Sequence, residues 1–335
     1  MAMACPQHIA DSRTLRDKGA HAFFLAFLLQ LAFCSAEAQD SMDATSHSSV
    51  MAAQAASAPA PHVQQHNSNV LAYWYGATYR TPFVVNPNTG KASDIPRSAI
   101  EFTHAGSTGL LNSFADVTVS QSSMAEPAAS GGSGATELYA ILRAGASLNE
   151  LTRSATFRKG PLRDLSFEAG ANLETKNSSY APAERTLYIG PKFEFALPHG
   201  FFNVGLHYRK EWNHEGVLGK AENYDPNFNI EPTWAIPFTL GKAHLAYSGF
   251  ADYNSQKGKD SFGSQTVPEF LIRNVLSLDI GAALFRRAQL LDLSGGFWYW
   301  HNEYGKSTSN PGAEQMTPLI GLVLHLDGGH PIRRD

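Results

Sequence analysis

From Val70 onward, apolar and polar side chains alternate at every second position, in segments of about 7 to 13 residues. That is the period of a strand, whose successive side chains point to opposite faces, and not of a helix. In Ser166 to Glu174 one face is Phe167, Ala169, Ala171 and Leu173, and the other is Ser166, Glu168, Gly170, Asn172 and Glu174. Thr136 to Ala146 sets Leu138, Ala140, Leu142 and Ala144 against Glu137, Tyr139, Ile141 and Arg143. Thr186 to Phe195 repeats the pattern, with Leu187, Ile189, Phe193 and Phe195 opposite Tyr188, Lys192 and Glu194.

Twelve such segments are expected, near 70–77, 99–105, 113–121, 136–146, 164–175, 186–196, 202–212, 228–236, 242–252, 267–280, 290–300 and 317–326. The connections after odd-numbered segments are long and rich in Gly, Ser, Asn, Lys and Asp. Most of those after even-numbered segments are tight: Gly106 to Asn112, Leu197 to Phe201, Pro237 to Gly241 and Gly281 to Gln289. Ser147 to Arg163 is the exception, long where a short turn is expected. Long loops alternating with short turns over an even number of roughly ten-residue strands are what a transmembrane antiparallel barrel requires. Such a barrel satisfies every backbone group within the bilayer and leaves no free edge. A soluble β-sandwich or lipocalin-like barrel would also alternate, but with its apolar face inside and its charges outside.

Composition narrows the class further. Of the 335 residues 43% are hydrophobic and 17% charged, the latter well below the roughly 25% of ordinary soluble domains. The balance of 26 basic against 30 acidic residues is too even for a non-specific nucleic-acid binder. The longest strongly apolar run, Ala22 to Cys34, is shorter than the roughly 20 residues that a membrane-spanning helix needs. It follows Arg13, Arg16 and Lys18 and precedes Ser35-Ala36-Glu37-Ala38, the order of a secretory signal peptide cleaved after Ala38. The true start of that leader is a later Met if the leader has ordinary length. Both cysteines, Cys5 and Cys34, leave with it, so the exported chain holds no disulfide, thiolate metal site or cysteine nucleophile. Residues 39–69, rich in Ala, Ser, His, Gln and Pro, read as a flexible tether; 70–326 is the barrel and 327–335 a tail.

Pattern alone does not tell the inward from the outward face. If the apolar face meets lipid, Glu101, Asp116, Glu137, Arg143, Glu168, Glu174, Lys192, Glu194, Arg209, Glu211, Asp252, Glu269 and Arg273 are all enclosed. Mixed charges at that density belong in a narrow wet lumen, because unpaired charge in a dry core is prohibitive. Aromatics at strand ends, such as Tyr79, Phe102, Trp212, Trp234 and Tyr253, fit interfacial girdles.

Several segments carry a further signal. Tyr-Gly-Ala-Thr-Tyr-Arg-Thr-Pro-Phe (75–83), Phe-Thr-His-Ala-Gly (102–106), Gly-Gly-Ser-Gly-Ala-Thr-Glu-Leu-Tyr (131–139) and Asn-Leu-Glu-Thr-Lys-Asn (172–177) resemble the Tsx-like family of nucleoside-specific outer-membrane channels. So do Lys-Glu-Trp-Asn-His-Glu-Gly (210–216), Lys-Gly-Lys-Asp-Ser-Phe-Gly (257–263) and Thr-Pro-Leu-Ile-Gly (317–321), all in the family's order. The resemblance implies a monomeric twelve-stranded barrel in the bacterial outer membrane, placed there by the barrel-assembly machinery. It also implies passive, cofactor-free uptake of nucleosides through a slot lined by aromatic rings and ionisable groups.

Under that resemblance Tyr75, before Gly76, matches a nucleoside-touching aromatic position, with Arg80 as its basic partner. Tyr299-Trp300-His301 resembles a second aromatic cluster. Strand parity leaves Trp74 as the alternative to Tyr75, and Trp298 with Trp300 as the alternative to Tyr299. Alternation adds Tyr139, Tyr188 and Phe250 as lumen aromatics, and Glu137, Arg143, Arg209, Glu211 and Asp252 as the charged groups that would bond a sugar. The last strand ends at His325-Leu326 and not on the terminal aromatic that assembly machinery commonly reads, so the assembly signal is expected to be internal or weakened.

Enzymatic chemistry finds no footing in the sequence. His207, His214 and His301 have hydroxyls nearby, but no G-x-S-x-G elbow is present. Glu211 and Glu215 near His214 lack H-E-x-x-H spacing, and Gly131-Gly132-Ser133-Gly134 lacks the Lys and helix of a phosphate loop. The competing functional classes are a general small-solute porin and a surface barrel serving mainly as an attachment point for phage or toxins.

Overall fold

A computed structural model describes residues 66–331. The expected leader, most of the tether and residues 332–335 of the tail lie outside the described residues. Twelve long strands form the body: β1 (His66–Tyr79), β2 (Ile95–Ser107), β3 (Leu111–Ser122), β4 (Thr136–Ser147), β5 (Leu162–Lys176) and β6 (Arg185–Ala196). They continue with β7 (Phe201–Glu215), β8 (Asn227–Leu240), β9 (Ala243–Asn254), β10 (Glu269–Asp279), β11 (Leu291–His301) and β12 (Glu314–His325). Each pairs antiparallel with its chain neighbours, and β12 returns to β1 through Val70↔His325, Trp74↔Gly321 and Gly76↔Leu319. The sheet is therefore a closed ring of twelve without an edge. Every expected segment overlaps one observed strand. β1 begins at His66, inside the stretch read as tether, and its first residues pair with the end of β2 through His66↔Ser107.

The connections sort the two ends. Those after odd strands, 80–94, 123–135, 177–184, 216–226, 255–268 and 302–313, are long. Residues 108–110, 197–200 and 241–242 are short turns, and Gly109 and Gly241 take the left-handed conformation that such tight reversals require. Ser147 to Arg163 departs from the short pattern as expected and contains helix α1 (Leu148–Thr152). Gly281 to Gln289, expected as a plain tight turn, instead contains helix α2 (Gly281–Phe285) and a two-residue pairing of Arg287–Ala288 with His330–Pro331.

Burial resolves the question of the faces. Along β1, Val70, Ala72 and Trp74 are buried while Leu71, Tyr73 and Tyr75 are exposed. Leu138 and Leu142 on β4, Leu187 and Ile189 on β6, and Ile320 and Leu322 on β12 are likewise exposed. Meanwhile Glu101, Arg143, Glu168, Lys192, Arg209 and Glu211 are buried inside. This inverts the order of a soluble protein, in which large apolar groups leave water and charges stay in it. Such an exterior is stable against hydrocarbon and not against water, so the fold is an all-β transmembrane barrel, not a soluble sandwich or lipocalin-like barrel. Among the described residues no helix is long and apolar enough to cross a membrane.

Candidate functional site

The lumen is built by the inward side chains of all twelve strands, and its two halves differ in chemistry. On β9, β11 and β1 inward positions carry aromatics. Phe250 meets Trp298 edge-on with ring centroids 6.1 Å apart, Trp298 meets Trp300 at 6.1 Å, and Trp300 meets Tyr304 at 5.0 Å. These rings climb from the middle of the barrel to the 302–313 connection at the long-loop end. Trp74 lies on the same side, its ring covered by the Arg273 guanidinium at 4.5 Å, and Arg273 Nη1 donates to Glu101 Oε2 at 2.7 Å. Gly321 makes room for Trp74, since a Cβ there would stand 2.4 Å from the indole.

The facing half, β4 to β8, is a hydrogen-bonded ionic network. Arg143 Nη2 donates to Glu231 Oε2 at 2.9 Å and Nη1 to Asn172 Oδ1 at 2.8 Å. Asn172 Nδ2 in turn donates to the hydroxyls of Tyr139 at 2.8 Å and Tyr188 at 3.1 Å. Arg209 bonds Glu211 at 2.7 Å and the Tyr188 hydroxyl at 3.1 Å. Asn229 bridges His207, Asp252 and Asn254. Nearer the short-turn end, Glu168 pairs with Lys192 and with His207, the latter at 3.3 Å, and Arg163 pairs with Glu194 at 2.6 Å. Arg143, Arg163, Lys192 and Arg209 are each paired with a carboxylate, which is how so many charges can be enclosed.

At the long-loop end the lumen opens into a cavity of about 210 Å³ whose lining includes Phe83, Tyr180, Tyr224, Tyr304, Lys176 and Lys257. Lys176 bonds Glu126 at 2.6 Å and Glu137 at 3.0 Å, with Arg97 behind both carboxylates. Burial pushes the Glu126 carboxyl up, but Lys176 and Arg97 outweigh it and hold the group below the usual carboxylate range. Glu184, at the end of the 177–184 loop, is pushed up to about 7 by burial and by Glu211, against the pull of Arg209 and Lys257.

The candidate residues fall into five places. Phe250, Trp298 and Trp300 form the aromatic wall. Tyr139, Tyr188, Arg143, Arg209 and Asp252 belong to the facing network, where the Tyr188 ring is already covered by Arg143 at 4.2 Å. Glu211 lines the cavity and bonds Lys257, while Glu137 lies behind the lining, bonded to Lys176. Two expectations are corrected. Tyr75 lies on the outer wall, 41% exposed, because Trp74 takes the inward position of that pair. Arg80 lies on the 80–94 loop, bonded to Asp94 at 3.0 Å with both side chains about half exposed, and does not reach the lumen. Tyr299, the alternative to its neighbours, also points outward, opposite exposed Met316 on β12.

Tyr304, Glu231 and Lys257 were not foreseen. Tyr304 and Lys257 lie in loops, where alternation gives no face, and Glu231 precedes Pro232 in a strand whose pattern is weak. Among the described residues no acceptor meets the buried Trp300 Nε1, and no group of three metal-ligating side chains is assembled.

No family model matches this chain, and no curated protein matches it. Solved structures do. The translocator domain of autotransporter NalP from Neisseria meningitidis is 14% identical over 92% of this chain and 97% of that one, with a TM-score of 0.41. A KdgM porin is 9% identical over 76% of this chain and 98% of its own, with a TM-score of 0.37. A NanC porin is 9% identical over the same shares, with a TM-score of 0.41.

Proposed function

We propose that this chain is a bacterial outer-membrane channel that passes nucleosides by diffusion. The carrying observation is the run of rings from Phe250 through Trp298 and Trp300 to Tyr304, facing a wall of paired charges. A base offers flat π faces and a ribose offers hydroxyls. A slot with rings on one side and ionic hydrogen-bonding groups on the other matches both at once. Base–aromatic contacts contribute roughly 1–3 kcal/mol each on proteins that bind single strands, and several such contacts in series let a solute advance without being trapped. The buried Trp300 Nε1 supplies a donor that a passing solute can satisfy. The seven segments resembling Tsx-like channels support the same solute class.

Conductance of the purified protein in a planar bilayer, titrated with uridine, adenosine and thymidine and with glucose and maltose as controls, tests the reading. Saturable block by nucleosides and not by sugars is expected. Equal indifference to all five would reduce the protein to a general small-solute porin. Absence of any conductance would make a surface attachment role the better account.

A further inference from the structure

The two connections at the short-turn end that are not short resemble each other. One carries α1 between β4 and β5, the other α2 between β10 and β11, and in a ring of twelve these seams are diametrically opposed. Each helix stops on an arginine in the left-handed conformation, Arg153 and Arg286. Each presents exposed apolar side chains just before that stop: Leu151 on one, Leu284 and Phe285 on the other. Each is pinned by one aspartate of an adjoining strand. Asp164 accepts from the Ser147 hydroxyl at 2.5 Å and from the Asn149 amide at 3.4 Å. Asp279 accepts from the amides of Gly281 and Gln289, both at 2.9 Å. The apolar groups are thus held out on braced turns.

Charge at this end is one-sided. Arg153, Arg158, Lys159, Lys242, Arg286 and Arg287 are all exposed, and none makes a side-chain ion pair among the described residues. The exposed acids of the same turns are Glu150 and Asp327. At the long-loop end Arg80, Lys257 and Lys306 are paired with Asp94, Glu211 and Asp260. The exposed cations there that make no ion pair among the described residues are Lys91, Arg185, Lys220 and Lys259; Lys91 and Lys220 share their loops with exposed Asp94 and Asp225, and none of the four lies beside an exposed apolar helix. Leu276 and Leu293 are exposed on β10 and β11, the two strands that the α2 turn with its exposed Leu284 and Phe285 joins. An apolar group on a turn between two lipid-facing strands and followed directly by free guanidinium groups matches a bilayer interface. There the apolar part enters the acyl region and the cation meets headgroup phosphate.

We propose that the α1 and α2 turns are two opposed feet that bind anionic phospholipid headgroups in the leaflet at the short-turn end. This rests on the transmembrane barrel and not on which solute passes through it. The test uses the folded full chain in bilayers carrying trace spin-labelled phosphatidylglycerol or phosphatidylcholine. The motionally restricted fraction of each label gives their relative affinity for the protein.

Phosphatidylglycerol is expected to be preferred by about fivefold at low salt, the effect of roughly one basic side chain at an anionic surface. The preference should shrink toward parity in about 0.5 M NaCl, where the screening length is a few ångströms. The variant R153Q/R158Q/R286Q/R287Q should lose it, while R80Q/K91Q/K259Q at the opposite end should keep it. All variants must retain the heat-dependent gel migration of a folded barrel. Parity in the wild type, or a preference that survives the four arginine substitutions, overturns the proposal. Conductance of the same samples is read separately, so a protein that does not conduct and still selects phosphatidylglycerol supports the feet and counts only against the channel.

Discussion

Trp300 contributes two things to the lumen, a ring beside Tyr304 and an indole N–H without an acceptor among the described residues. Removing it takes away a stacking surface and a donor together. Trp300→Ala is therefore expected to raise the half-blocking nucleoside concentration about tenfold in planar bilayers. Tyr75→Ala should leave it unchanged, because Tyr75 stands on the lipid side of the wall. Alternation made these pairs legible only as pairs: it says that Trp74 and Tyr75 face oppositely, not which one faces in. The choice is made by register, since Trp74 lies across from Gly321, which leaves the indole space inside the ring.

A second single-residue test concerns Glu184. Its folded-state value of about 7 lies above the ordinary carboxyl value of 4.5, so the folded protein takes up its proton first. The destabilisation it causes is complete above pH 7 and is relieved as the pH falls. Unfolding free energy from urea titrations should gain about 1 kcal/mol more between pH 8 and pH 6 in the wild type than in Glu184→Gln.

At the scale of elements the strands were legible because each has one face for hydrocarbon and one for enclosed charge, which forces strict alternation. α1 and α2 were not. Five residues are too few to show a helical period, and Ser147 to Arg163 stood out only by its length. Packing between elements was equally silent in sequence, as β1 and β12 show. Trp74 fits over Gly321 with no room for a Cβ, so Gly321→Val must push the indole off the wall. Overpacking of this kind is expected to lower the unfolding free energy by about 2 kcal/mol, read from the urea midpoint, with the barrel still closing. Gly295 on β11 makes the control, because the only atom near a Cβ there is a backbone oxygen at 3.9 Å, and Gly295→Ala should be near neutral.

For the whole molecule the deciding contacts are those that cross the ring. Arg143 on β4 reaches Glu231 on β8, and Arg273 on β10 reaches Glu101 on β2, each passing over three intervening strands. The partners stand 88 and 172 residues apart in the chain, so the sequence shows that such charges are enclosed and nothing of which ones meet. These chords brace the barrel and divide the space through which ions and solutes must pass. Arg143→Gln alone leaves Glu231 enclosed without its arginine and should cost about 3 kcal/mol of stability. The double variant Arg143→Gln with Glu231→Gln removes both charges, so it should be more stable than the single one while opening the crossing. Single-channel conductance of the double variant is then expected to rise by about half or more. An unchanged conductance would place the ion path wholly along the aromatic side, against Trp298 and Trp300, and the charged wall would then act as a brace and not as a lining.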